Sequence, residues 1–134
     1  MIFGIGTDIV SVVRIAEASE RHGPAFARRL LTPNELAEYT QQPHPARFLA
    51  KRFAAKEAFA KATGQGLRHP VSLHNIEVGH DELGKPVLTF APELEQHLRA
   101  QGITRHHLSI SDEHEHALAF VVLSGEFTLQ PHHV

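Results

Sequence analysis

The sequence predicts an α+β fold in which an antiparallel sheet packs around one long central helix. Three observations carry that expectation. The periodic segments run strand, several helices, two strands, one helix, two strands, with no repeating βαβ unit of the kind a parallel sheet needs. Residues 46–63 hold the longest helical pattern, with apolar side chains over a wide arc, as in a helix buried at the centre of a fold. The last two strand patterns, 107–111 and 117–123, flank a short acidic turn and read as an antiparallel hairpin.

Residues 2–13 alternate as a strand, with Phe3, Ile5 and Ile9 on one side and Ile2, Gly4, Gly6, Asp8 and Val10 on the other. From Arg14 to Arg21 the pattern turns helical and polar; Gly23-Pro24 breaks it before a short basic helical stretch through Arg28, Arg29 and Leu31. Thr32-Pro33-Asn34-Glu35 opens the next helix, with Thr32 as N-cap, Pro33 at the first helical position and Glu35 closing a capping box. That helix is expected to stop near Gln42, before Pro43 and Pro45.

In the long helix, Phe48, Ala55, Phe59 and Ala62 cluster on one side and Leu49, Phe53 and Ala60 on another, with Gly64-Gln65-Gly66 as the glycine stop. Glu57 and Lys61 lie one turn apart on the remaining side with Ala50 and Ala54, a face expected to be charged but not bulky. Strands are expected at 75–78 and 85–90, with a turn over 81–84 between them. Pro92 then opens a helix to about Gln101, ended by Gly102.

The chain has 134 residues, 42% hydrophobic and 21% charged, which fits one globular domain spanning 1–134. No apolar run is long enough to cross a membrane and the start has no secretory pattern. There is no cysteine, which excludes disulfides, zinc ribbons and thiol nucleophiles. A cytoplasmic protein without membrane partners is expected. Charge is uneven: residues 1–70 hold ten Lys or Arg against six Asp or Glu, and residues 71–134 hold three against nine. The first half suits anionic partners. Nucleic acid fits poorly, since there is one tyrosine, no tryptophan and an acidic second half.

Several residues could carry chemistry. Asp8 interrupts an apolar strand, where a carboxylate needs a hydrogen bond, a counter-charge or a cation; the plain alternative is a strand end bonded to turn amides. Gly4 and Gly6 on its side leave room for a ligand or another backbone. Glu57 pairs by spacing with Lys61, either as an ordinary i to i+4 salt bridge or as a carboxylate for a hard cation beside an ammonium for a phosphate. His106, His107, His114 and His116 match no zinc signature and are expected at the surface, as are His132 and His133. Neither Gly4-Ile5-Gly6 nor Gly64-Gln65-Gly66 extends to a nucleotide-binding motif.

Taken in order, the segments Gly4-Ile5-Gly6-Thr7-Asp8-Ile9-Val10, Arg47 through Ala62, Gly64-Gln65-Gly66, Asp81 through Pro86 and His107 through Glu113 resemble the bacterial holo-[acyl-carrier-protein] synthases, the small phosphopantetheinyl transferases. The resemblance covers roughly residues 2–124 and leaves the tail 125–134 outside. It implies the 4'-phosphopantetheinyl transferase fold. It also implies transfer of 4'-phosphopantetheine from coenzyme A to a serine of apo-acyl carrier protein, releasing adenosine 3',5'-bisphosphate, in fatty acid biosynthesis.

By the same resemblance the reaction needs Mg²⁺, with Asp8 and Glu57 as its protein ligands. Glu57 and Lys61 are catalytic, Lys61 reaching the pyrophosphate. Arg52, Lys61, Gly64 and Gly66 lie by the coenzyme, and Arg14 and Arg21 meet the acidic carrier. Family members are homotrimers with the coenzyme between subunits. The serine proton goes either to Glu57 or to a water on the metal. Asp112 and Glu113 stand where some relatives have a histidine and a hydroxyl residue, so no phosphate contact is carried to them. The rival without catalysis is an adaptor gripping acidic partners through its basic helices.

Overall fold

The structure, a computed structural model, describes residues 1–126; the segment 127–134, with His132 and His133, lies outside the described residues. The elements are β1 (Ile2–Ser11), α1 (Val12–His22), α2 (Pro24–Leu30), α3 (Pro33–Tyr39), α4 (Pro45–Thr63), a 3₁₀ turn (Leu73–Asn75), β2 (Ile76–His80), β3 (Pro86–Phe90), α5 (Pro92–Ala100), β4 (Ile103–Asp112) and β5 (His116–Gly125). β5 sits between β1 and β4 in an antiparallel three-stranded sheet, and β2 and β3 form a separate antiparallel pair. This is the expected α+β layout with the sheet against α4. The terminal hairpin also appears as β4 and β5, but the pairing of β1 with β5 joins the two ends of the chain.

Boundaries moved where hydrogen bonding outweighed pattern. β1 ends at Ser11 because the Ser11 hydroxyl accepts from the Arg14 amide and starts α1, which claims Val12 and Val13. The Thr32 capping box forms with both reciprocal bonds, the Glu35 carboxylate accepting from the Thr32 amide at 3.0 Å. α3 stops at Tyr39 because Gln41 and Gln42 close tighter bonds to the Glu38 and Tyr39 carbonyls. β4 starts at Ile103, four residues before the expected strand, because pairing with β5 runs back to Ile103 opposite Gly125 through a polar stretch.

The room beside Gly4 and Gly6 is filled by backbone. A Cβ on Gly4 would strike the Ala62 carbonyl oxygen, and one on Gly6 would strike the Ala58 carbonyl oxygen and the Ala62 amide nitrogen. β1 therefore crosses α4 at a distance no larger residue permits. The helix answers with a stripe of alanines, Ala50, Ala54, Ala58 and Ala62, all buried. The face expected to be charged but not bulky divides: Ala50 and Ala54 are fully buried, and the charged Glu57 and Lys61 side chains reach out.

On its other side α4 carries a buried ionic cluster that the sequence did not announce. Lys56 and Glu35 are both fully buried, with Lys56 Nζ 2.6 Å from Glu35 Oε1. The Arg52 guanidinium donates to Glu35 at 3.4 Å, to Glu38 at 3.2 Å and to the Val78 carbonyl at 2.6 Å, and it stacks over the Phe48 ring. Glu35 also accepts from the Val78 amide at 2.9 Å, which fastens β2 to α3 and α4. Burial lowers the Lys56 pKa, and the Glu35 carboxylate beside it partly offsets the shift.

His106 corrects the expectation of surface histidines at the hairpin, which holds for His107, His114 and His116. Its Nε2 accepts from the Leu88 amide at 3.0 Å, joining β4 to β3 across the gap between the two sheets, with the Phe90 ring edge-on. Burial, then the neighbouring His107 and Lys85, push the His106 pKa below its usual value of 6.5. A histidine held neutral in the fold stabilises it above the pKa of the unfolded chain and loses that contribution as pH falls through the lower folded value. Urea titrations from pH 7.5 to 5 should therefore show stability falling below about pH 6.5, and His106→Phe should flatten that slope. An unchanged slope would leave the seam without a role in acid sensitivity.

Candidate active site

Asp8, Glu57 and Lys61 come together where β1 crosses α4. Asp8 sits mid-strand, opposite Ala119 of β5, and its side chain is 16% exposed. That excludes the strand-end alternative. Lys61, half exposed, donates to Asp8 Oδ1 at 2.9 Å and to the Thr7 carbonyl at 3.0 Å. The ammonium thus goes to the strand carboxylate rather than into the simple helical pair with Glu57 suggested by the spacing. Partial burial pushes the Glu57 carboxyl above the usual carboxylate range; the charge of Asp8 raises it further and Lys61 opposes the rise.

Two carboxylates in each other's field, one of them short of counter-charge, are hard oxygen donors that a divalent cation would relieve. Among the described residues no group of three or more His, Cys, Asp or Glu assembles to hold a metal ion. The chain offers two carboxylates, which suits an ion such as Mg²⁺ that keeps waters and takes its remaining ligands from substrate phosphates. Asp8 and Glu57 would hold it.

The other expected residues are more dispersed. Gly64, at φ 80°, is the left-handed cap of α4 one turn beyond Lys61, a backbone no β-branched residue tolerates. Gly66 follows at φ 69°, and Gln65 between them hydrogen-bonds His97 of α5 at 3.0 Å. Arg52 points away from Asp8 and Glu57, and its NH1 and NH2 already face Glu35, Glu38 and the Val78 carbonyl. It lines a cleft of about 290 Å³ with Lys51, Gln42, His80 and Asp112, the last lying 3.8 Å from Arg47. Arg14 and Arg21 are exposed on α1, two turns apart and so on one face.

Sequence reasoning missed Glu35 and Lys56 as parts of the architecture beneath this site. A signal existed: at about 100° per residue, Arg52 and Lys56 fall between the Phe48/Phe59 and Leu49/Ala60 clusters, inside the apolar arc. Charged residues centred in an apolar arc are either exposed with the arc facing solvent or buried with a partner.

The profile of the 4'-phosphopantetheinyl transferase superfamily matches residues 4–121. A holo-[acyl-carrier-protein] synthase of Nitrosospira multiformis is 61% identical over 123 residues, covering 92% of this chain and 98% of that protein. The crystal structure of the holo-[acyl-carrier-protein] synthase from Neisseria meningitidis superposes with a TM-score of 0.90 at 56% identity, covering 92% of this chain and 99% of that one. A structure from Bacillus anthracis, described as in complex with CoA (3',5'-ADP), superposes with a TM-score of 0.78 at 39% identity, over 94% and 99% of the two chains. Matched along nearly its whole described length, this chain belongs to the holo-[acyl-carrier-protein] synthases of the 4'-phosphopantetheinyl transferase superfamily.

Proposed function

We propose that the protein transfers 4'-phosphopantetheine from coenzyme A to a serine hydroxyl of apo-acyl carrier protein, with Asp8, Glu57 and Lys61 at the reacting centre. The observation that carries this reading is the convergence of a strand carboxylate, a helix carboxylate and an ammonium at the crossing of β1 and α4, in a chain of this family. Asp8 and Glu57 would hold Mg²⁺, which would supply positive charge to the pyrophosphate. Lys61 extends to the same region from a half-exposed position and neutralises charge as the bond to the adenosine-side phosphate breaks. Glu57 accepts the serine proton while the oxygen attacks the β-phosphorus. Coenzyme phosphates also meet Arg52, which shares its guanidinium with Glu38 at the cleft wall, and the Gly64 to Gly66 turn, one turn beyond Lys61, lies by the nucleotide.

The test is incubation with coenzyme A, Mg²⁺ and apo-carrier. A gain of about 340 Da on the carrier serine is expected, absent when a chelator is added. Coenzyme cleavage without carrier would point instead to a phosphohydrolase, and carrier binding without mass gain to an adaptor.

The carrier is acidic and meets α1 through Arg14 and Arg21, which flank Glu17 on that face. Arg14→Glu should raise the carrier KM about tenfold at low salt with kcat unchanged, and the difference should shrink as salt rises. Equal KM values at low salt would remove that contact.

A homotrimer with active sites between subunits is supported by the outer face of the sheet. Ile5, Ile9, Leu118 and Phe120 are all exposed there, Ile9 at 64%, as a contiguous apolar patch on β1 and β5. A second copy of the chain is the partner proposed for that patch. Light scattering should give three times the 14.9 kDa chain mass, and Ile9→Glu should reduce it to one chain. A monomeric unsubstituted chain would end the proposal.

A further inference from the structure

Lys56 adjoins Glu57 in the chain, is fully buried and takes no part in the chemistry above. We propose that Lys56, through Glu35 and two carbonyls, fixes the rotation of α4 about its axis and thereby aims Glu57 and Lys61 at Asp8. It is a positioning residue, and the inference rests on the function proposed above.

The packing of α4 against β1 sets distance more firmly than angle. Gly4 and Gly6 meet the Ala62 and Ala58 backbone there, and the side chain that reaches across, Lys61 to Asp8 and the Thr7 carbonyl, is half exposed and so a weak hold on the rotation. Lys56 lies about 200° round the helix from Ala58, on the opposite side. Its ammonium donates to Leu30 O at 2.9 Å, Glu35 Oε1 at 2.6 Å and Leu73 O at 2.8 Å. Those acceptors belong to α2, α3 and the 3₁₀ turn, so all three ammonium donors are used and the point is held from three directions. Arg52, one turn earlier, repeats the tie to Glu35.

A buried ion pair is a poor device for stability, because desolvation offsets most of the attraction, and a good one for specifying a single arrangement. The leverage is large. At about 5–6 Å from the helix axis, a rotation of about 10° carries a side-chain end by about 1 Å, and a displacement of about 1 Å can cost about 10²-fold in rate.

The experiment compares the unsubstituted chain, Lys56→Met, and Leu94→Ala, which opens a cavity in the core at α5 away from the cluster. Each is read by crystal structure, by kcat and KM for coenzyme A, and by melting temperature. In Lys56→Met, α4 should turn so that the Lys61 to Asp8 contact of 2.9 Å is lost, and kcat should fall at least about tenfold with the coenzyme KM within about twofold. Leu94→Ala should melt lower yet keep kcat within about twofold well below its melting point. A retained Lys61 to Asp8 contact in Lys56→Met overturns the inference, whether or not the unsubstituted chain transfers anything; loss of activity in the unsubstituted chain strikes the proposed function alone. If Lys56→Met does not fold, Lys56→Arg keeps the charge but cannot reproduce three ammonium contacts: a lowered kcat with the melting temperature retained supports the inference, and an unchanged kcat overturns it.

Discussion

Glu57→Gln lowers transfer to apo-carrier by at least about a hundredfold while leaving the fold intact. The substitution keeps the size of a half-buried side chain and removes only its charge and its capacity to take a proton. General-base catalysis alone is worth about 10²–10⁴ in rate, and the amide is also a poorer partner for a hard cation. The melting temperature should not fall, because the charged carboxylate is disfavoured in the fold by burial and by Asp8. Mass spectrometry of the carrier and thermal unfolding check the two halves. Turnover within tenfold of the unsubstituted chain would take Glu57 out of the reaction.

Glu35→Ala destabilises the protein by about 3–5 kcal/mol, the usual cost of removing one partner of a buried ion pair. The magnitude discriminates between two readings of the residue. As the closing member of a capping box, Glu35 would be worth about 1 kcal/mol. As the acceptor for Lys56, Arg52, the Thr32 amide and the Val78 amide, it leaves two buried cations and two buried amides short of partners when truncated. Domains of this kind have about 5–15 kcal/mol in total, so the variant should be marginally folded. Urea denaturation measures the difference, and a loss near 1 kcal/mol would reduce Glu35 to a cap.

Much of the fold was legible because its determinants are local. The Thr32 box, the Gly64 stop, the apolar run of β5 and the length of α4 follow from side chains within a few residues of one another. The start of β4 was not, since residues 103–106 are mostly polar and only the β5 partner makes them a strand. His106 was misread for the same reason: its partner, the Leu88 amide, is supplied by another sheet.

For the site, the sequence by itself singled out Asp8, Glu57 and Lys61, because a carboxylate in an apolar strand and a charged pair on an alanine-rich helix are each anomalous where they stand. Tertiary structure alone decided that Lys61 pairs with Asp8 and not with Glu57, that the glycines admit a helix and not a ligand, and that Arg52 and Lys56 turn inward to Glu35. The physical reason is range. Propensity, capping and periodicity act along the chain, whereas ion pairing, desolvation and close backbone packing depend on residues some 20 to 60 positions apart meeting in space.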